Sequence, residues 1–146
     1  MSGRAERLGR LLAIRRVSED LDRSALGIAL ASVVEVEVEM GAQENALTEA
    51  RVAARAALGA GDRSEWLLAD AQGEVAGWNR SKLKVLLAGR AEVAGAARAR
   101  FLESRREHEQ VKQLVEAAQQ AARIDETRRS QAAADDWFLS RRAEEI

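Results

Sequence analysis

The chain has 146 residues, with charged side chains at 32%, aromatic ones at 3% and neither proline nor cysteine, which leaves room for one domain. Its apolar share is 47%, but much of that is alanine, which is too small to fill a globular core of this length. A formal net charge of −1 with both signs interleaved argues against nucleic acid as a partner. The lack of cysteine removes disulfides, thiolate chemistry and cysteine metal sites.

Alanine, leucine, glutamate, arginine and glutamine dominate, and these are strong helix formers. The first predicted element is a helix over about 5–58. Leu11, Ile14, Val17, Leu21, Ala25 and Ile28 follow steps of three and four, and a second set takes over at Leu26, Ala29, Val33, Val36, Met40, Leu47, Ala50 and Ala54. The change of phase near 25–29 reads as a stutter, which locally relaxes a supercoil. Glu6/Arg10 and Glu19/Arg23 are spaced for ion pairs one turn apart. Val33–Met40 alternates apolar and acidic residues, a strand signature. No second alternating run exists to pair with it, so the segment is read as helix, with Glu35 and Glu39 sharing a solvated acidic face and Glu37 pointing away.

Residues 59–63 form the predicted turn. Gly59 or Gly61 can take the left-handed conformation that ends a helix, and Asp62 with Glu65 reads as a capping box for the next one, with Ser64 as an alternative cap. A short break between two long helices predicts an antiparallel hairpin. The second helix is expected over about 63–141, with a stripe of Leu68, Ala71, Val75, Trp78, Leu83, Leu86, Val93, Ala97, Phe101, Val111, Leu114, Ala118 and Ala121. Trp78 is placed in the seam by that stripe, whereas Trp66 fits either a cap on the coil or an exposed anchor. Gly73, Gly77, Gly89 and Gly95 each weaken the helix by roughly 1 kcal/mol against alanine; they serve flexibility or open a groove for a partner. Folding at the turn pairs residue 58 with 63 and residue 5 with about 116. The segment from Ala117 onward is left as an overhang carrying Trp137 and Phe138, whose position invites an intermolecular contact.

The expected fold class is therefore all-α, a long two-helix antiparallel coiled-coil hairpin with a longer second helix, over 1–146 as a single domain. Groups for chemistry are sparse. His108, the single histidine, sits among charged neighbours and is expected to face solvent. A helix pair does not readily surround a substrate, and the turn lacks the lysine and preceding strand of a phosphate loop. No catalytic, cofactor or metal site is expected, nor a small-molecule substrate. The arginines at 4, 7, 10, 15 and 16 form either a solvated helix end or a basic surface for an acidic partner. The opening residues lack a signal-peptide core and no run spans a membrane, which sets a cytoplasmic expectation.

Three stretches resemble the FliJ family of flagellar export proteins and its YscO-like relatives in virulence-type secretion: RLGRLLAIRRVSEDLDRSALGIAL (7–30), the glycine turn followed by Trp66, and DETRRSQAAADDWFLSRR (125–142). The resemblance implies a non-enzymatic component of the type III protein export apparatus, shaped like the central stalk of a rotary ATPase. It further implies contact with the hexameric export ATPase through the end bearing both termini, here Leu8, Leu11, Arg128, Arg129, Trp137 and Phe138. It places contact with the cytoplasmic part of the membrane export gate near the hairpin tip, at Trp66, Gln72 and Trp78. Gln72 departs from the large apolar residue the family has there. Export chaperones are further implied partners, and the implied location is peripheral at the inner face of the cell membrane. The rival readings are a general coiled-coil chaperone or adaptor, with a client groove near Gly89 and Gly95, and a self-assembling structural coiled coil.

Overall fold

The computed structural model describes residues 2–145. Two helices account for nearly all of them: α1, Ser2–Ala60, and α2, Arg63–Glu144. They pack against one another as an antiparallel pair, and no strand occurs among the described residues. Val33–Met40 is helical despite its alternation, because a lone strand has no partner for its backbone groups whereas a helix satisfies them internally.

The turn is tighter than the predicted 59–63. Gly61, at φ 71°, is the one residue with positive φ among those described, and glycine adopts that region without steric penalty. Its N–H donates to the Leu58 carbonyl at 3.2 Å, and the Asp62 N–H donates to the Ala57 carbonyl at 3.0 Å, which is the Schellman closure. Asp62 then starts α2: its Oδ1 accepts the Glu65 N–H at 3.1 Å, and its carbonyl accepts the Trp66 N–H at 3.1 Å. The cap is therefore Asp62 and not Ser64. Gly59 stays within α1.

By contacts the chain divides into a unit of Asp22–Phe101 and a unit of Met1–Leu21 with Leu102–Ile146. In the first, the seam positions of α1 are Asp22, Leu26, Ala29, Val33, Val36, Met40, Gln43, Leu47, Ala50, Ala54 and Ala57, all buried or half-buried, with Ser32 and Gly41 half-buried beside them. The seam positions alternate in steps of four and three without interruption, so the expected stutter at 25–29 is absent. The matching positions of α2 are Trp66, Ala69, Gly73, Ala76, Arg80, Leu83, Leu87, Arg90, Ala94, Ala97 and Phe101, of which only Arg80 is exposed. A Cβ placed on Gly73 would lie 3.6 Å from the Ala50 Cβ and 3.9 Å from the Leu47 Cδ1, which fixes the register. Layer by layer Ala57 then faces Trp66, Ala50 faces Gly73 and Val36 faces Leu87. The predicted pairing of 58 with 63 and of 5 with 116 is off by two residues, since it set the midpoint one residue before the Gly61–Asp62 bond.

This seam is thin. Of its fully packed members Ala29, Ala50, Ala57, Ala69, Ala76 and Ala94 are alanines, and Val36 is the largest, at 2% exposure. Small side chains let the helices approach closely but remove little apolar surface from water. Arginines extend the seam at its rim. Arg90 Nη1 donates to the Ser32 carbonyl at 3.0 Å and meets Glu35 at 3.5 Å, Arg80 pairs with Glu44 at 3.3 Å, and the Arg23 guanidinium lies 5.5 Å from the Phe101 ring centre.

Within the other unit Leu8, Leu12, Arg15 and Glu19 from α1 continue the same steps, against Ser104, His108, Val111, Val115 and Ala118 from α2. Here the predicted first stripe is overturned. Ile14, Val17 and Leu21 are all more than half exposed, lying on the face opposite the seam, while charged residues occupy the seam itself.

Candidate partner-binding surfaces

Labelling seam positions a and d in each heptad, the outward face of a helix is made of positions c and f. On α2 near the turn, positions c and f hold Leu68, Ala71, Val75, Trp78, Lys82 and Val85. This set contains the first four residues of the stripe expected to form the seam, whereas Leu83, Ala97, Phe101, Val111 and Ala118 of that stripe do lie in the seam. The large members of the outward set are exposed, Trp78 at 71%, with the Lys82 ammonium 4.9 Å from the ring centre of Trp78. Trp78 therefore does not fill the seam. The residues that do, Trp66, Ala69, Gly73 and Ala76, are small apart from Trp66, so a search for large apolar residues chose the wrong face. Trp66 is half-buried beside Ala57, Leu58 and Gly61, as a cap at the turn. Of the three residues assigned to an export gate, Trp78 is on the outward face, Gln72 is exposed at the flank of the seam beside Gln43 and Ala46 of α1, and Trp66 faces the helix pair.

The polar layer lies in the unit containing Leu102–Ile146. Glu19 is buried, and its Oε2 lies 2.5 Å from His108 Nδ1. Arg15 Nη1 donates to Glu107 Oε2 at 2.6 Å. Ser104 is also buried. His108 was expected in solvent; instead its side chain is only 19% exposed, because it occupies a seam position facing α1. The Glu6–Arg10 pair forms at 3.9 Å on the exposed surface. None of this gathers a catalytic constellation, and no group of three or more His, Asp or Glu able to hold a metal ion occurs among the described residues.

The third surface is the free part of α2. Every described residue from Gln119 onward is exposed. Continuing the seam phase past Ala118 gives Ala122, Asp125, Arg129, Ala132, Asp136 and Leu139, so the apolar periodicity fades where α1 begins at Ser2. Near the end of α2 the apolar character returns, with Trp137 and Phe138 off the seam phase and Leu139 on it. Trp137 and Phe138 meet edge to face at 5.3 Å between ring centres, the Arg141 guanidinium sits 4.9 Å from the Trp137 ring centre, and Leu139 is exposed beside them.

The six residues assigned to an ATPase contact do not form one patch. Leu8 is half-buried in the seam and Leu11 flanks it, at 36% exposure. Arg128, Arg129, Trp137 and Phe138 are exposed on the free helix. From the layer of Leu8 and Val115 to Trp137 is roughly 33 Å along α2 at the helical rise. A groove lined by Arg4, Ala5, Leu114, Ala118, Ala121 and Arg129 marks where α1 begins against α2. No helix among the described residues is long and apolar enough to cross a membrane. Comparison of this chain with family models, with curated proteins and with solved structures finds no match.

Proposed function

We propose that this chain is a non-enzymatic coiled-coil hairpin that works by binding other proteins, as a stalk or escort in a type III protein export apparatus. The observation that carries the reading is the free end of α2. A helix without an intramolecular partner exposes Trp137, Phe138 and Leu139, within an ending, DETRRSQAAADDWFLSRR, that resembles the FliJ family. Aromatic and arginine side chains are the usual anchors of protein interfaces, and here they stand together on a surface the chain itself leaves uncovered. The partner assigned to this end is the hexameric export ATPase, bound through Arg128, Arg129, Trp137 and Phe138. Contact with the cytoplasmic part of the export gate is assigned to the exposed Gln72 and Trp78, and association with the inner face of the cell membrane follows through that gate. Export chaperones are a further partner class.

The test is removal of the residues after Ala134, with binding to the export ATPase hexamer measured alongside far-ultraviolet circular dichroism. The expected outcome is loss of ATPase binding with the signal per residue nearly unchanged. Undiminished binding by the truncated chain removes the proposal.

A further inference from the structure

We infer that the outward stripe of α2 beside the turn is a second coiled-coil seam whose occupant is another copy of this chain, lying antiparallel across a two-fold axis. The stripe carries the heptad spacing that a helix pair requires: Leu68, Ala71, Val75, Trp78, Lys82 and Val85 follow one another in steps of three and four on the face opposite α1. Contiguous exposed apolar residues of this size mark an interaction surface, and the spacing specifies a helix as the thing that covers them.

The charges choose which helix. Around the stripe, the end nearer the turn is acidic, with Asp70 and Glu74, and the far end is basic, with Lys82 and Lys84. A parallel second copy would set like charges side by side, which is unfavourable, whereas an antiparallel copy sets each acidic end beside a basic one. The stripe is thus complementary to itself reversed, the condition for a two-fold interface.

The layers close as well. With the axis between Ala76 and Gly77, Leu68 packs against Val85 of the second copy, Val75 against Trp78, and Ala71 against Lys82. The small Ala71 leaves room for the Lys82 stem to run along the seam with its ammonium at the rim, about one helical turn from Glu74 of the second copy. Gln72 and Asn79 fall at flanking positions that face one another, where two amides can bond reciprocally. Gly77 lies beside the axis, and a Cβ added to it would meet no atom within 4 Å in the single chain, so nothing intramolecular obstructs approach. Self-pairing covers Trp78 and therefore competes with the gate contact proposed for that residue. It uses none of the residues after Ala134, so it stands or falls independently of the ATPase contact.

The chain has no cysteine, which permits a direct test. Leu68→Cys and Val85→Cys variants are prepared separately, one carrying a mass tag, then oxidised alone and mixed at the same total concentration. In the antiparallel register Cys at 68 meets Cys at 85 of the other copy, while two copies of the same variant hold their sulfurs about 25 Å apart along the axis, far beyond disulfide reach of about 7 Å between Cα atoms. The expected result is a cross-linked heterodimer in the mixture, at least tenfold above either variant alone. Trp78→Asp added to both chains should reduce that product at least tenfold with helicity unchanged. Cross-linking of Leu68→Cys with itself at the level of the mixture would mean a parallel pair, and absence of cross-linking with a monomeric mass at high concentration would mean that another protein covers the face. Either result overturns the inference.

Discussion

The buried pair of Glu19 and His108 yields the sharpest test of how the seam is held. Glu19 and His108 have side chains 9% and 19% exposed, so water cannot replace the partner that either loses. Changing Glu19 to Leu leaves the imidazole without its acceptor. A hydrogen bond to a charged group contributes about 1.5–3 kcal/mol, and an orphaned buried polar group loses its hydration besides. Glu19 has further interactions, so about 2 kcal/mol is a floor for the single variant. Changing both residues to Leu removes the orphan and adds apolar surface to a thin seam. Replacement of a complete buried polar pair by packed hydrophobic groups is often neutral or stabilising by about 1–4 kcal/mol. The double variant should therefore be more stable than the single one, with the loss of Glu19's further interactions common to both. Urea unfolding followed by circular dichroism, with the slopes checked for equality, measures all four corners of the cycle. A single variant within about 0.5 kcal/mol of the parent, a threshold typical of surface substitutions, would mean the pair is not buried in solution. A double variant weaker than the single one would show that the layer is required for packing and not merely tolerated.

Val36→Ala removes two methylene equivalents from the least exposed seam position, about 1.6 kcal/mol by transfer. With an unfilled cavity the loss should reach about 2 kcal/mol, read as a lower urea midpoint, whereas Val38→Ala on the exposed side should change little. Gly73→Ala should stabilise by about 0.5–1 kcal/mol, since alanine is the better helix former and its methyl would sit at ordinary contact distance from Ala50. Gly61→Ala should destabilise by about 1–2 kcal/mol, because its φ of 71° is a left-handed conformation strained for L-residues; thermal melts distinguish the two signs. Amide hydrogen exchange should be fast from Ile124 to Glu145 and slow around Val36, Ala50 and Ala76, because an unsupported helix frays while a packed one opens only with its unit; uniform protection would contradict a free α2 end.

The turn was legible because glycine and aspartate act locally. The left-handed demand of a Schellman closure and the capping reach of a carboxylate involve only neighbours, so Gly61 and Asp62 announce themselves in a single sequence. The seam was harder to read, since both helices carry two stripes and the larger side chains lie on the outward one. Choosing by size selected Leu68, Val75 and Trp78 over Ala69, Gly73 and Ala76, and Ile14, Val17 and Leu21 over Arg15 and Glu19. Phase would have chosen correctly. Counting outward from the Gly61–Asp62 bond, Ala57 and Trp66 are equidistant, as are Ala50 and Gly73, and the alternation of three and four then reaches His108 without a stutter. His108 was misplaced for a related reason: its sequence neighbours are charged, but its burial is decided by α1, where its partner Glu19 is 89 residues away in the chain and invisible to a local window.

Small seam residues and large outward ones follow from a single constraint. Two helices held by alanine can come close together, and close approach recovers dispersion contacts that a bulky seam obtains from its side chains. What the alanines do not provide is enough apolar burial for the helices to be indifferent to further partners. A chain that put its leucines and valines into the seam would make a self-sufficient rod with a polar exterior. Here Leu68, Val75, Trp78 and Val85 on α2, and Ile14, Val17 and Leu21 on α1, remain exposed, and each set keeps helical spacing. Random scatter of apolar residues would not preserve that spacing, and intramolecular packing does not require it. On the proposals above, contact with other helices accounts for it, and the polar layer of Arg15, Glu19, His108 and Glu107 makes such contact compatible with a defined fold. Buried charged groups tolerate few registers, so α1 and α2 stay paired with each other although their outward faces offer an alternative seam of larger side chains. Replacing Glu19 and His108 with leucine would remove that discrimination. The Glu19→Leu, His108→Leu variant should therefore show more self-association than the parent at equal concentration in sedimentation velocity. A variant more stable yet no more associated would show that alanine packing alone selects the pairing.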